Sequence, residues 1–198
     1  IDGLKGKLII KYYPTRSASV NTLAAHLKQM EIQEIKPDVV IVDYADILKP
    51  TTFYKEKRHS TGETYENLRG MAGEFDIPIW TASQANRSSL EEEVIDASKV
   101  SEDYSKVMTA DFVMSISRKV EDKIANTGRV HVIKNRFGID GITFPAEINT
   151  NTGHIQVHEA STYAGKEAQG KMNNSEEYLR KTLAKKYNDL SPKTDGFE

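Results

Sequence analysis

The sequence predicts an α/β fold on a mostly parallel sheet, and three observations carry that prediction. Pro37-Asp38-Val39-Val40-Ile41-Val42-Asp43-Tyr44 is a run of four β-branched aliphatics without polar alternation, the pattern of a strand buried on both faces. Ile77-Pro78-Ile79-Trp80-Thr81-Ala82-Ser83 repeats the pattern and stops in the polar stretch Gln84-Ala85-Asn86-Arg87. Before and between these runs lie segments with helical spacing of apolar residues, so strands alternate with helices as crossover connections require. The carboxyl ends of parallel strands are where α/β proteins place ligands. Asp43, at such an end, therefore reads either as a carboxylate that orients a metal ion or its bound water beside a phosphate, or as an ordinary helix cap or loop acid.

In chain order, Leu8 to Tyr12 is expected as a short strand ended by Pro14. Ser17 and Ser19 offer caps for a helix carrying Val20, Leu23, Ala24, Leu27, Met30 and Ile35. With the Val39 strand these make a βαβ unit of right-handed crossover. Residues 49–63 read as a polar loop and residues 64–75 as a second helix, with Tyr65, Leu68, Met71, Ala72 and Phe75 on one face. Residues 99–109 can form a helix and Phe112 to Ile116 a strand. Val130 to Arg136 alternates before the turn chemistry of Phe137-Gly138-Ile139-Asp140-Gly141. Strands at Thr143 to Ile148 and His154 to His158 are expected as antiparallel additions to the sheet edge. Ala160 to Asn174 reads as a linker. Ser175 then caps a final helix with Leu179, Leu183, Tyr187 and Leu190 on one stripe and Arg180, Lys181, Lys185 and Lys186 opposite.

Composition sets outer bounds. The chain has 198 residues, 38% hydrophobic and 28% charged, with room for one domain and a tail. No apolar stretch approaches the roughly 20 residues of a membrane-spanning helix. The absence of cysteine excludes a disulfide scaffold or thiolate metal site. A formal net charge of -2 does not decide nucleic-acid binding, which depends on local patches. The chain opens Ile1-Asp2-Gly3 without an initiator Met or a signal-peptide pattern, and reads as a piece of something longer.

The polar ends of the strands set three kinds of phosphate chemistry in order along the chain. A carboxylate (Asp43) can hold Mg²⁺ through water. A neutral amide (Gln84) can sense a γ-phosphate or orient the attacking water, and cations (Lys134, Arg136) can neutralise charge in phosphoryl transfer. This order resembles the RecA-like ATPase core of the DnaB-type hexameric replicative helicases, especially their phage members. Pro37 to Tyr44 resembles the family's Walker B strand, Ser83-Gln84-Ala85-Asn86-Arg87 its Ser-Gln-x-Asn-Arg motif, and Lys134-Asn135-Arg136-Phe137-Gly138 its Lys-x-Arg-x-Gly segment. Tyr13-Pro14-Thr15 stands where phage members carry a Phe/Tyr-Pro-Thr turn.

The resemblance implies a three-layer RecA-like sandwich, with a partial motor domain over 1–159, a linker over 160–174 and a C-terminal helix and tail over 175–198. It implies ATP and Mg²⁺ as cofactors, Asp43 in the Mg²⁺ shell, Gln84 at the γ-phosphate, and Lys134 and Arg136 acting in trans on a neighbour's nucleotide. It further implies a homo-oligomeric ring on single-stranded DNA, a primase or helicase loader as possible partner of the last helix, and a cytoplasmic location, that of the host for a phage protein. The loop Lys49-Pro50-Thr51-Thr52-Phe53-Tyr54-Lys55-Glu56-Lys57-Arg58-His59 mixes cations with adjacent aromatics, as single-strand binders do. Lys49, Lys55, Lys57, Arg58, Asn86 and Arg87 are the candidate DNA contacts; the bland alternative is a solvated loop.

The sequence also departs from the family. It contains no Gly-x-x-x-x-Gly-Lys-[Ser/Thr], so the backbone cradle and lysine that hold phosphates are missing, and these residues alone are expected to bind ATP poorly. Arg118 stands where the family often has Arg or a polar residue at the subunit boundary, but reads rather as a solvated strand-end charge, and His154 and His158, without a third ligand, receive no role. The alternative function is a RecA-like ATPase of recombinase or clock-protein type, or a non-hydrolytic assembly module.

Overall fold

In the computed structural model, residues 5–52, 57–85, 94–95, 104–174, 177 and 180–185 are described. The chain divides into two units, Ile1–Ser83 and Gln84–Glu198.

In the first unit, Ser19 caps helix α1 (Val20–Ile32). The Ser19 hydroxyl accepts from the Thr22 amide, and the Thr22 hydroxyl accepts from the Ser19 amide, so two backbone donors at the helix start are satisfied reciprocally. The helix ends where Glu34 turns left-handed (φ 60) and the Ile35 amide returns to the Met30 carbonyl. Strand β1 (Val40–Val42) follows, then a 3₁₀ turn (Ala45–Ile47), helix α2 (Lys57–Phe75) and strand β2 (Ile79–Thr81). β1 and β2 pair in parallel, with Val40 opposite Ile79 and Val42 opposite Thr81. The core gathers Val20, Leu27 and Met30 of α1, Ala45, and Tyr65, Leu68 and Met71 of α2 against Val40, Val42 and Ile79.

Three expectations change here. Leu8 to Tyr12 forms no strand, and Leu8, Ile10 and Tyr12 are exposed. Apolar content makes a strand only where a neighbour completes its backbone hydrogen bonds, and among the described residues β1 pairs with β2 alone. The parallel crossover therefore runs from β1 through α2 to β2. Burial on both faces is also not met. Val40 and Val42 point into the core, whereas Ile41 is 74% exposed beside Trp80, its partner in the register. Finally, α2 begins at Lys57, inside the stretch read as a loop.

In the second unit, α3 (Ser105–Thr109) leads into β3 (Phe112–Ser117), and α4 (Val120–Ala125) into β4 (Thr127–Asn135), β5 (Thr143–Asn149) and β6 (His154–Val157). These strands form an antiparallel sheet in the order β3-β4-β5-β6, so the parallel pairing of the described residues is confined to β1 and β2. Val130, Ala146 and Ile148 form its small core. Helix α4 has almost no sequence signal, because six polar-rich residues carry little periodicity. It is fixed by Asp122, 1% exposed, whose carboxylate accepts from the Lys119 amide at 2.9 Å, the Thr127 hydroxyl at 3.3 Å and the Arg129 guanidinium at 2.6 Å. Arg118, read as a solvated charge, instead donates to the carbonyls of Thr127, Asp122 and Lys123.

The stretch 160–174, read as a linker, carries helix α5 (Tyr163–Asn173). The Thr162 hydroxyl accepts from the Gly165 amide and caps it. Its buried residues, Gly165, Ala168 and Met172, recur every three to four positions. Small residues there read as linker composition, but a Cβ on Gly165 would collide with the Glu159 carbonyl, so the glycine permits a close approach. Of the expected last helix, residues 177 and 180–185 are helical, Lys181 pairs with Glu177 at 2.7 Å, and Leu183 of the apolar stripe is exposed. No helix among the described residues is long and apolar enough to cross a membrane.

Candidate functional site

The site in the first unit is built at the carboxyl ends of β1 and β2. Asp43 follows β1 directly and is exposed, and among the described residues it forms no ion pair. An uncommitted strand-end carboxylate suits a cation shared with phosphates and water; Mg²⁺ is commonly held by one or two carboxylates rather than an all-protein cage. No cluster of three or more His, Cys, Asp or Glu that could hold a metal by itself occurs among the described residues.

The two strand ends are tied together. The Thr81 hydroxyl donates to the Val42 carbonyl and accepts from the Ala45 amide, both at 2.9 Å, which locks the exit of β2 to the turn after β1. Asp46 adds a second tie. One carboxylate oxygen accepts from the Tyr65 phenol at 3.0 Å and the other from the Ser83 hydroxyl at 2.8 Å. Ser83 is the residue before Gln84. Neither Asp46 nor Tyr65 stands out for chemistry in the sequence, where Tyr65 reads as helix core; the available signal is a second carboxylate three residues after Asp43.

Burial pushes the Tyr65 phenol well above its ordinary 10.0, and the charge of Asp46 adds to the rise. The neutral phenol is thus the form the fold binds. Its contribution to stability is complete below pH 10 and is lost above it, because the unfolded chain releases the proton first. Urea midpoints should therefore fall as pH rises above about 10, and Tyr65→Phe should flatten that fall; an unchanged slope in the variant would assign the alkaline loss to other groups.

In the second unit, Lys134 lies near the end of β4 and Arg136 directly after it, beside α3. The Lys134 ammonium donates to the carbonyls of Val107 (2.9 Å) and Met108 (2.8 Å). These carbonyls belong to the last turn of α3, where a cation complements the helix dipole. Arg136 pairs with Asp111 at 2.6 Å, and the two side chains are 47% and 40% exposed. An ion pair this exposed contributes about 0–1 kcal/mol. The guanidinium can therefore exchange Asp111 for another anion readily, whereas Lys134 is held more firmly. Beyond them the hairpin tip presents Phe137 (84% exposed) and Ile139 (74% exposed).

The remaining candidates are scattered. Gln84 is exposed at the end of β2. Lys49 is exposed, and its amide donates to the Ala18 carbonyl, which fixes the start of the loop after β1. Lys57 and Arg58 lie in the first turn of α2. Lys55, Asn86 and Arg87 fall outside the described residues. The ties that are seen thus join Asp46 and Ser83 in the first unit, and Lys134 and Arg136 with the α3–β3 corner in the second.

The family model for the DnaB-like helicase C-terminal domain matches residues 5–176. The chain is 31% identical over 137 residues to the DnaB-like replicative helicase of Enterobacteria phage T4, a match covering 67% of this chain and 29% of that protein. Among solved structures, an ATPase domain superposes with a TM-score of 0.63 at 21% identity, over 72% of this chain and 52% of that one. A DnaB-like replicative helicase, described with its interactions with primase, superposes with a TM-score of 0.62 at 22% identity, over 72% of this chain and 35% of that one. The fold is therefore that of the RecA-like ATPase domains, and the chain spans under a third of the length of its T4 relative. With the family model covering nearly the whole chain, this protein belongs to the DnaB-like helicase C-terminal domain family.

Proposed function

We propose that the intact protein is an ATP-driven replicative DNA helicase that moves on single-stranded DNA as a hexameric ring, and that this chain supplies part of its motor domain. The observation that carries the reading is the T4 match, which spans two thirds of this chain, together with the exposed Asp43 at a parallel strand end. Bound Mg²⁺ would neutralise phosphate charge and polarise the transferred group. In this reading Asp43 orients the ion through water, and Gln84 meets the γ-phosphate. Arg136, with Lys134 behind it, reaches the nucleotide of the neighbouring subunit. Lys49, Lys55, Lys57, Arg58, Asn86 and Arg87 face the DNA. The location is cytoplasmic, and a primase or loader meets the last helix.

The test is strand separation by the intact protein. A forked duplex should be unwound with ATP and not without it. Replacing Lys55, Lys57 and Arg58 together should flatten the salt dependence of single-strand binding, by about one unit of log-log slope for each phosphate no longer neutralised. ATP hydrolysis without unwinding would favour the second reading, a RecA-like ATPase of recombinase or clock-protein type; absence of both activities would leave an assembly module.

A further inference from the structure

The end of β1 carries a carboxylate that the phosphate chemistry above does not use. Asp46 sits in the 3₁₀ turn three residues after Asp43, and its two oxygens serve two different elements. Ser83, at the exit of β2, donates to one; Tyr65, at the middle of α2, donates to the other. Ser83 is joined by a single peptide bond to Gln84. Tyr65 is 9% exposed and packed in the core, which holds its phenol to its helix. That helix begins with Lys57 and Arg58, eight and seven residues earlier, about 12 Å away at 1.5 Å per residue.

We propose that Asp46 is a positioning residue that couples the Ser83–Gln84 end of β2 to helix α2, so that the state of the nucleotide is transmitted to the cations at the amino end of that helix. The inference rests on the helicase reading given above. Geometry distinguishes it from simple packing. Thr81 already ties the two strand ends through backbone groups, so Asp46 is not needed for that purpose. It strengthens the link from those ends to α2, where the Tyr65 phenol also donates to the Ala82 carbonyl at 3.5 Å. An apolar side chain at position 46 would hold α2 against the turn but would not follow the Ser83 hydroxyl. A shift of β2's exit changes the Asp46–Ser83 contact, and the other oxygen carries the change to the Tyr65 phenol. Two-element hydrogen bonding of this kind is a contiguous connection along which a coupling between sites can travel.

The experiment uses the full-length assembled protein as wild type, Asp46→Asn and Tyr65→Phe. Affinity for a labelled oligothymidylate is measured by anisotropy with ADP and again with a non-hydrolysable ATP analogue. The wild type should bind with affinities that differ between the two nucleotides by about fivefold or more, the usual scale of coupling between sites. In both variants that ratio should fall toward one, while affinity for the nucleotide analogue changes less than the ratio does. A residue that only stabilised the fold would lower the melting temperature and leave the ratio intact. Variants that are folded and keep the wild-type ratio overturn the coupling and leave the helicase reading standing. A wild type whose ratio is one, with no strand separation, overturns both. Should Asp46→Asn fail to fold, Tyr65→Phe decides, since it keeps the ring and loses only the hydroxyl.

Discussion

Arg136→Ala in the intact protein should lower the rate of ATP hydrolysis by roughly 10³ to 10⁵, the effect of losing an arginine finger in phosphoryl transfer. The size of the effect follows from when the guanidinium acts. In the isolated chain it is engaged by Asp111 across a half-exposed contact that contributes little, so removing it should hardly change folding. On the proposed helicase reading its value lies in the transition state, where charge spreads over the phosphoryl oxygens. The proposed trans arrangement gives a sharper test than the rate alone. Subunits carrying Arg136→Ala, mixed with subunits carrying Asp43→Ala, form some interfaces where an intact Asp43 meets an intact Arg136 from the neighbour. Activity should return on mixing. If it does not, although the mixed subunits assemble together, Arg136 does not act across the interface. Lys134→Ala should behave differently, because its ammonium also holds the last turn of α3 and its removal should loosen that corner as well.

A second large effect is structural. Asp122→Ala removes a carboxylate that is 1% exposed and leaves the 11% exposed Arg129 guanidinium without its counter-charge. Breaking a buried pair from one side costs about 3–5 kcal/mol, because the remaining charge stays desolvated. That is a large share of the roughly 5–15 kcal/mol that stabilises a typical domain. The Lys119 amide and the Thr127 hydroxyl lose their acceptor at the same time. The urea midpoint of the second unit should therefore drop sharply, with exposure of the β4 amides to hydrogen exchange. The double variant Asp122→Ala with Arg129→Met should recover part of the loss, since no charge is then stranded. A single variant as stable as the wild type would mean that water replaces the carboxylate.

The parts of the fold that are legible in the sequence are those whose signal is local. Ser19 before a period of apolar residues points to α1, and the turn around Gly138 and Gly141 to the antiparallel hairpin. The polar strand ends point to the family, because Asp43, Gln84 and Arg136 follow strands in a fixed order. What is not legible depends on neighbours. Leu8 to Tyr12 has strand composition but, among the described residues, no strand beside it. Gly165 and Ala168 look like linker residues until Glu159 is seen to pass against the helix. Val39 to Val42 looks buried on both faces, yet Ile41 and Trp80 remain open on one of them. Asp46 escapes notice for a similar reason: its partners lie 19 and 37 residues away, beyond any local pattern.

Trp80 gives that open face a practical use. It is the sole tryptophan of the chain, 46% exposed in the strand beside Ile41. Its indole fluorescence therefore comes from one place, the uncovered side of the parallel strand pair. A shift of that emission to shorter wavelength on adding another part of the protein, or a second copy of the chain, reports directly that the face has been shielded from water. The molecule carries its own optical gauge of whether that face is covered.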